Sequence, residues 1–307
     1  MQMHALVVFT LAVGCAAASA RGVVWVEAER FDDRGGWTAD AQFIDQMGSP
    51  YLLAIGLGRP VKDAVTAVAV PRPGRYRLWA RTKDWAPEHH PGRFQILVNA
   101  TPVAATFGVS GKKGWLWEDG GVHELAGKVE LRLRDLTGYY GRCDALVLTT
   151  DLKYTPPEKV EDIARERSRL TGLSLEPQDG GAFDVIVVGA GSAGGPAAIA
   201  AARLGAKTAL IQNRPVLGGN ASIELGVHIC GAGSSKPNAR ESGIIEEVGR
   251  VKARYGYPKM SEPFRIVAAK EKNLTVLLNR HVFAAEMADK KTIAAVKAVD
   301  TLTNAIY

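Results

Sequence analysis

Short runs of alternating or β-branched residues recur along residues 21–151, and turn-forming residues separate them. The turn signals include PRPG at 71–74 and DGG at 119–121. Many short strands without a helical period are typical of an all-β antiparallel sandwich. The predicted strands are 23–31, 51–55, 64–70, 75–82, 93–99, 129–136 and 144–150.

A different pattern begins at residue 183. The apolar run VIVV at 185–188 predicts a parallel strand that is buried on both faces. A helix follows, and then a second apolar strand, an order that predicts an α/β Rossmann-like domain. The further predicted elements are helices at 196–204, 241–254 and 262–272, a strand at 207–211, and a strand with an antiparallel hairpin over 274–307.

The segment between the two patterns reads as a connector. Pro156 and Pro157 end the last strand, the charged stretch EKVEDIARERSRL predicts one short helix, and EPQDGG at 176–181 is rich in helix-breaking residues. The fold class is therefore multidomain. The predicted domains are a signal peptide at 1–20, a β-sandwich at 21–151, a linker at 152–182, and the amino-terminal, incomplete part of a Rossmann-like domain at 183–307.

The first 20 residues carry no Lys, Arg, Asp or Glu. Their apolar run ends in Ala18-Ser19-Ala20, as in a secretory signal with a small-residue cleavage site, and it is too short to span a membrane. We expect an exported protein, periplasmic or extracellular, with no transmembrane segment in the mature chain. Two alternatives stay open: a lipoprotein box, AVGC, that leaves Cys15 lipid-anchored, and a wrongly chosen start codon or buried helix.

Composition narrows the choice of partners and cofactors. Lys and Arg number 38 against 32 Asp and Glu, a net charge of +6, and no basic run of five or six residues is present. We therefore expect no nucleic-acid partner. The three cysteines are too few for a disulfide framework or for an iron–sulfur module.

The stretch GAGSAG, at the point where the strand gives way to the helix, carries the clearest chemistry. Gly189 permits a tight turn, Gly191 lets a pyrophosphate approach the backbone, and Gly194 allows close packing of helix and strand. The helix amino terminus adds free N–H donors for the phosphates. The spacing, with correct flanks on both sides, predicts a dinucleotide site.

Gln212 ends the second strand, where an Asp or Glu would ordinarily accept hydrogen bonds from a ribose. An amide oxygen still accepts and its NH₂ donates, so ribose binding survives without the charge. A glycine pair, Gly218-Gly219, follows a few residues later, in the run GGNAS.

The whole run GAGSAGGPAAIAAARLGAKTALIQNRPVLGGNAS resembles the FAD-dependent oxidoreductase family, flavoproteins with two dinucleotide-binding domains. The resemblance covers residues 183–307 and implies FAD rather than NAD. A hairpin strand of such proteins passes the adenine, which implies backbone contacts there. Since such flavoproteins continue beyond this hairpin, we expect the chain to be a fragment or a truncated product. The implied FAD contacts are Gly189, Gly191, Ser192, Ala193, Gly194, Gln212, Asn213, Arg214, Gly218, Gly219, Asn220, Ser222 and Val282.

The catalytic residues are not fixed by the sequence. His228 is a weak candidate for a proton donor, and a satisfied core histidine is the favoured alternative. Cys230 has no CxxC partner and receives no role.

The runs VEAE, PGRYRLWAR, FQILVN and RCDALVLT resemble carbohydrate-binding-module sandwiches and malectin-like domains. In such modules acids at these places often hold a structural calcium, which implies Glu27 and Glu29, two apart on one strand face, with Asp144. Solvated acids are the alternative. Candidate aromatic platforms for sugar are Trp37, Trp85, Trp115, Trp117, Tyr139 and Tyr140.

Together these features predict an exported FAD-dependent oxidoreductase that transfers hydride at flavin N5 and acts on a small-molecule or glycan substrate, which is plausibly carbohydrate-derived. One alternative is a non-catalytic glycan-binding protein with a vestigial nucleotide fold. Another is a flavin subunit related to heterodisulfide reductase, against which the cysteine count argues.

Overall fold

The structure, a computed structural model, describes residues 22–229 and 243–307. They form two compact units, each described here by itself. The first holds the described residues up to Ala39 together with Tyr51–Leu173, and the second holds Asp40–Pro50 and Ser174–Tyr307. The signal peptide and Cys15 lie outside the described residues, as does Cys230.

The first unit is an antiparallel sandwich of two sheets, which confirms the predicted fold class. The larger sheet has the order β2-β3-β10-β5-β8, with β1 also paired to β10, and the smaller sheet has the order β4-β9-β6-β7. The strands are β1 Val23–Glu27, β2 Trp37–Asp40, β3 Tyr51–Ile55, β4 Ala64–Ala69, β5 Gly74–Lys83, β6 Phe94–Val98, β7 Thr101–Phe107, β8 Trp115–Leu125, β9 Lys128–Asp135 and β10 Tyr139–Thr149.

The facing sides of the two sheets enclose the core of this unit. Tyr76, Leu78, Phe94, Phe107 and Leu131 belong to one apolar cluster and are almost fully buried. They come from strands of both sheets, as the inward alternation of a sandwich requires. The burial of this cluster supplies the main hydrophobic stabilisation of the unit.

The outer face of the larger sheet is covered by helix α2, Val160–Thr171. Ile163 and Leu170 on this helix pack with Trp25 and Trp117 from strands β1 and β8. The Trp117 indole nitrogen donates to the Pro157 carbonyl oxygen at 2.9 Å. Much of the segment predicted as a linker is thus folded onto the sandwich, because its amphipathic helix buries one face there.

The second unit contains a three-stranded parallel sheet of order β11-β12-β13 and an antiparallel hairpin, β14-β15. These elements match the predicted strand–helix–strand order and the predicted hairpin. Their bounds are β11 Val185–Val188, α3 Gly194–Arg203, β12 Thr208–Ile211, α4 Ile244–Tyr255, α5 Ser261–Ala268, β13 Leu274–Leu277, β14 Arg280–Met287 and β15 Ile293–Asp300. The unit also contains a short helix, α1 Ile44–Met47.

The prediction that the first parallel strand is buried on both faces is wrong for the described residues. Ile186 and Val188 are 38% and 56% exposed, whereas Val187 packs against the apolar cluster beneath helices α3, α4 and α5. Only one side of β11 is paired in the described part of the chain, with β12. Burial therefore alternates along the strand, because the helices cover a single face.

In the described part of the chain, no helix is long and apolar enough to cross a membrane.

Candidate functional site

The turn between β11 and α3 has the geometry that its glycines predict. Gly189 has a φ of 94°, a conformation that L side chains rarely adopt, and a Cβ there would meet open space. A Cβ on Gly194 would collide with the carbonyl oxygen of Gly189, so the third glycine is needed for the helix to start this close to the strand. The loop thus brings the amino terminus of α3 close to the end of β11.

The glycine pair folds directly against this loop. The Gly218 nitrogen donates to the Ala190 carbonyl oxygen at 2.8 Å. A Cβ built on Gly219 would lie 2.9 Å from the Cα of Gly191, and Gly219 itself has a φ of 55°. Two glycine segments that are well separated in sequence therefore meet backbone to backbone, which leaves a surface without side chains beside the start of α3.

Gln212 is 5% exposed at the end of β12, and its side chain holds the same loop. Its carboxamide oxygen, Oε1, accepts a hydrogen bond from the Ala190 nitrogen at 2.9 Å. Because a backbone N–H can only donate, this contact fixes which end of the amide points at the loop. One lone pair of the acceptor expected to meet a ribose is therefore in use, which leaves the second lone pair and the NH₂ to recognise a ligand.

The hairpin strand β14 starts beside the end of β12. The Arg280 nitrogen donates to the Gln212 carbonyl oxygen at 2.9 Å, and the Asn279 nitrogen donates to the Arg214 carbonyl oxygen at 3.3 Å. Val282 lies near the start of this strand, half-buried, and pairs with Ala298. The strand predicted to pass an adenine is thus tied to the segment predicted to bind its ribose.

The other predicted FAD contacts differ in burial and in their partners. Ser192 and Ala193 form the end of the glycine turn, and Asn213 is half-buried beyond β12. Arg214 makes an ion pair with Glu224 at 3.5 Å.

Two residues after the glycine pair differ sharply in accessibility. Asn220 is exposed, whereas Ser222 is fully buried and its hydroxyl oxygen accepts from the Glu224 nitrogen at 3.3 Å. The Ser222 side chain therefore serves the loop, because it has no open surface for a ligand.

His228 is exposed in the irregular segment after the glycine pair, so the favoured interpretation as a core histidine is wrong. Its proton-donor role stays a prediction.

Residues 184–305 match a family model described as FAD dependent oxidoreductase. This region is similar to the FAD-dependent oxidoreductases. The glycine loop, the glycine pair and Gln212 all lie within it, and their geometry fits the cofactor, since Gly191 and Gly219 meet without side chains where a pyrophosphate would approach.

Curated relatives of the FAD oxidoreductase region include fumarate reductase (cytochrome) from Shewanella frigidimarina. The two are 44% identical over 68 residues, which is 22% of this chain and 12% of the relative. The chain therefore matches about an eighth of that protein's length.

Solved structures similar to the chain carry carbohydrate-binding modules. A family 35 carbohydrate-binding module from Clostridium thermocellum is 19% identical, covers 41% of this chain and 96% of its own, and has a TM-score of 0.35. A GH26-CBM35 β-(1,4)-mannanase from Podospora anserina is 16% identical, covers 62% of this chain and 42% of its own, and has the same TM-score of 0.35.

The acids predicted to hold calcium are all buried in the sandwich, but arginines face them. Glu27 forms an ion pair with Arg167 at 2.5 Å, and Asp144 forms one with Arg81 at 2.9 Å. Glu29 does not lie on the same strand face as Glu27, because β1 ends at Glu27 and a 3₁₀ turn follows. Among the described residues, no group of three or more His, Cys, Asp or Glu is placed to hold a metal ion. The residues present therefore do not fit calcium.

The predicted sugar platforms include buried, half-buried and exposed rings, and Trp115 and Tyr140 are the half-buried ones. Trp37 and Trp117 are 3% and 8% exposed, so both are packing residues and not platforms. Trp85 and Tyr139 are 39% and 49% exposed, and the Trp85 nitrogen donates to the Tyr139 carbonyl oxygen at 3.2 Å. The Tyr140 ring meets Trp85 edge-on, with centroids 5.4 Å apart.

Sequence reasoning missed two residues that shape the FAD oxidoreductase region. Ala190 bonds to both Gln212 and Gly218 through its backbone, although its side chain carries no signal. Phe264 on α5 packs so closely on α3 that a Cβ at Gly195 would come within 2.9 Å of its ring. Gly195, which directly follows the third glycine of the loop, is the one sequence signal of this close packing.

Proposed function

We propose that the protein is an exported FAD-dependent oxidoreductase that acts on a small, carbohydrate-derived substrate. The observation that carries the proposal is the backbone contact between the glycine loop and the glycine pair, at Gly191 and Gly219. A surface without side chains at a helix amino terminus suits a pyrophosphate, because N–H donors and the helix dipole both face the charge.

The residues of this chain would divide the cofactor between them. The glycine loop and the first turn of α3 would hold the pyrophosphate, and the Gln212 amide would donate to the ribose. The start of β14, at Val282, would lie along the adenine. When bound, FAD supplies hydride transfer at its N5 atom, and the protein's part is to bind and orient it.

Purification of the protein tests this assignment. The protein, recovered by gel filtration, should carry a flavin absorbance band, and mass spectrometry of the released cofactor should give FAD and not NAD. Gly191→Val should abolish the flavin, because its side chain would occupy the surface left clear by the two glycine segments. Gly249→Val serves as the control, since a Cβ at Gly249 meets nothing within 4 Å. A colourless wild-type protein would remove the proposal.

A second candidate function, glycan binding by the sandwich, rests on the exposed rings of Trp85 and Tyr139. Aromatic faces of this kind suit the apolar faces of sugar rings, with nearby polar groups to set orientation. Isothermal titration with oligosaccharides tests it: Trp85→Ala should weaken binding, and Val122→Ala, a change at an exposed position on β8, should not. Glycan binding by a protein that never holds FAD would favour the non-catalytic alternative.

A further inference from the structure

Three carboxylates lie buried together where the first strand of the sandwich ends. Glu27, Glu29 and Asp144 are 5%, 1% and 0% exposed. Three negative charges removed from water require compensating positive charge or protonation, because an uncompensated buried carboxylate costs several kcal/mol. The source of that charge determines what the sandwich needs in order to fold.

Arg167 of helix α2 provides positive charge at this place. Its guanidinium nitrogen Nε lies 2.5 Å from Glu27 Oε1, and its side chain is 5% exposed. Burial acts against the charged form, but the carboxylates of Glu27, Asp144 and Glu29 outweigh burial and raise the pKa of Arg167. Glu27 makes the direct contact with this guanidinium group, and burial, which outweighs the effect of Arg167, still holds the pKa of Glu27 above its ordinary value.

Packing of helix α2 against tryptophans of the sandwich fixes the position from which Arg167 contacts Glu27. Its apolar residues Ile163 and Leu170 pack beside Trp25 and Trp117, and the Arg167 guanidinium lies 5.7 Å from the centre of the Trp25 ring. Arg81 adds a second guanidinium, at 2.9 Å from Asp144. Calcium takes six to eight oxygen ligands at about 2.3–2.6 Å, and the Arg167 guanidinium occupies the space beside Glu27 that such an ion would need.

We propose that Arg167 takes the place of a divalent cation in this sandwich, so that helix α2 supplies from within the chain the positive charge that Glu27, Glu29 and Asp144 share. The sandwich then needs no calcium, and its stability depends on the helix that follows it in sequence. Removal of the guanidinium should leave buried negative charge at Glu27 that Ca²⁺ would then neutralise.

The unfolding of the sandwich can be followed selectively, because all six tryptophans of the chain lie in the first unit. Tryptophan fluorescence should give the same unfolding temperature for the wild-type protein in EDTA and in excess Ca²⁺. Elemental analysis of protein purified without chelator should find no bound calcium. A calcium-dependent rise in the unfolding temperature, or one calcium per chain, would overturn the proposal.

Variants at Arg167 supply the converse test. Arg167→Ala should lower the unfolding temperature in EDTA by about 10 °C, and Ca²⁺ should restore much of that loss. Arg165→Ala is the matched control: Arg165 lies on the same helix, its side chain is 68% exposed, and its removal should leave both temperatures unchanged. If Arg167→Ala does not fold in EDTA, its recovery in Ca²⁺ supports the proposal, and failure to recover counts against it.

A charge-conserving variant completes the design. Arg167→Lys keeps one positive charge at the site, so it should fold in EDTA and show no response to Ca²⁺. If it responds to Ca²⁺ as strongly as Arg167→Ala does, the positive charge of Arg167 is not what excludes the metal, and the proposal fails.

Discussion

The side-chain oxygen of Gln212 accepts a hydrogen bond from the backbone nitrogen of Ala190 at 2.9 Å, and both residues are almost fully buried. The bond joins the end of β12 to the glycine loop, so one side chain holds the glycine turn in place. Gln212 thus keeps a structural task whether or not it also contacts the ribose.

Gln212→Leu removes this acceptor and leaves the Ala190 N–H buried without a partner. A buried unsatisfied donor costs about 1–3 kcal/mol, so FAD should bind about tenfold more weakly or be lost on gel filtration. The peptide that contains Ala190 should also exchange its amide hydrogens faster in the absence of FAD, as measured by mass spectrometry. Gln212→Glu, which retains an acceptor oxygen, should keep the slow exchange; equal exchange rates in the two variants would contradict the loop-holding role.

Gly219→Ala should separate the two glycine segments. Its Cβ would lie 2.9 Å from the Cα of Gly191, at a φ of 55° that disfavours a side chain, and the strain should destabilise the second unit by about 1–3 kcal/mol. Flavin content should fall with it. Far-ultraviolet circular dichroism and flavin absorbance measure the two effects.

Gly249→Ala is the comparison for that variant, because Gly249 lies in helix α4 and its Cβ would meet open space. It should stabilise the unit by about 0.5–1 kcal/mol, as alanine does in a helix interior. If Gly219→Ala destabilised the unit no more than Gly249→Ala does, the close packing at Gly191 would contribute nothing to stability.

Arg81→Met should destabilise the sandwich strongly. Arg81 and Asp144 form a buried ion pair, with side chains 4% and 0% exposed, and loss of one partner leaves the other charge uncompensated. The expected loss is about 3–5 kcal/mol in denaturant unfolding followed by tryptophan fluorescence. Lys62→Met breaks an exposed pair with Asp33 and should change stability by less than about 1 kcal/mol; losses of similar size in both variants would argue against the role of burial.

Cys143 should be inert in the folded protein. Burial, followed by the negative charges of Asp144, Glu29 and Glu118, raises the pKa of its thiol well above the ordinary value. Alkylation at pH 8, mapped by mass spectrometry, should modify Cys143 only after unfolding. Rapid modification of the native protein would show that the strand β10 opens.

The raised pKa of Cys143 makes the stability of the folded protein fall at alkaline pH. The thiol ionises more readily in the unfolded chain, so its contribution to stability is complete below about pH 9 and is lost as the pH rises further. Cys143→Ala should remove this part of the alkaline loss. An identical alkaline profile for Cys143→Ala and wild type would assign that loss to other groups.

The sequence predicts those parts of the fold whose signal is local. The alternating runs of β5 and β9 fit a strand. The glycines before α3 fit a tight turn. Strand β8 was missed because Asp119 and Gly121 resemble a turn. In the structure Gly121, with a φ of 82°, lies within the strand, next to an irregularity in its pairing with β5.

Local sequence patterns do not predict contacts between segments that are far apart along the chain. The ion pair of Arg167 with Glu27 joins a predicted linker to the first strand, and no spacing rule connects the two. The bond between Gln212 and Ala190 is similar, because it depends on how β11 and β12 pair. The sequence therefore predicts which residue types form the candidate cofactor site, whereas the tertiary contacts determine which of their atoms stay available.

Strand β11 carries a consequence for any laboratory that expresses this chain. Among the described residues it pairs on one side alone, and it exposes Ile186 and Val188 beside that open edge. A strand edge with free N–H and C=O groups and apolar side chains is a template for other strands, and so a site of self-association. Ile186→Lys would place a charge beside this edge, and a charged edge resists pairing with another strand.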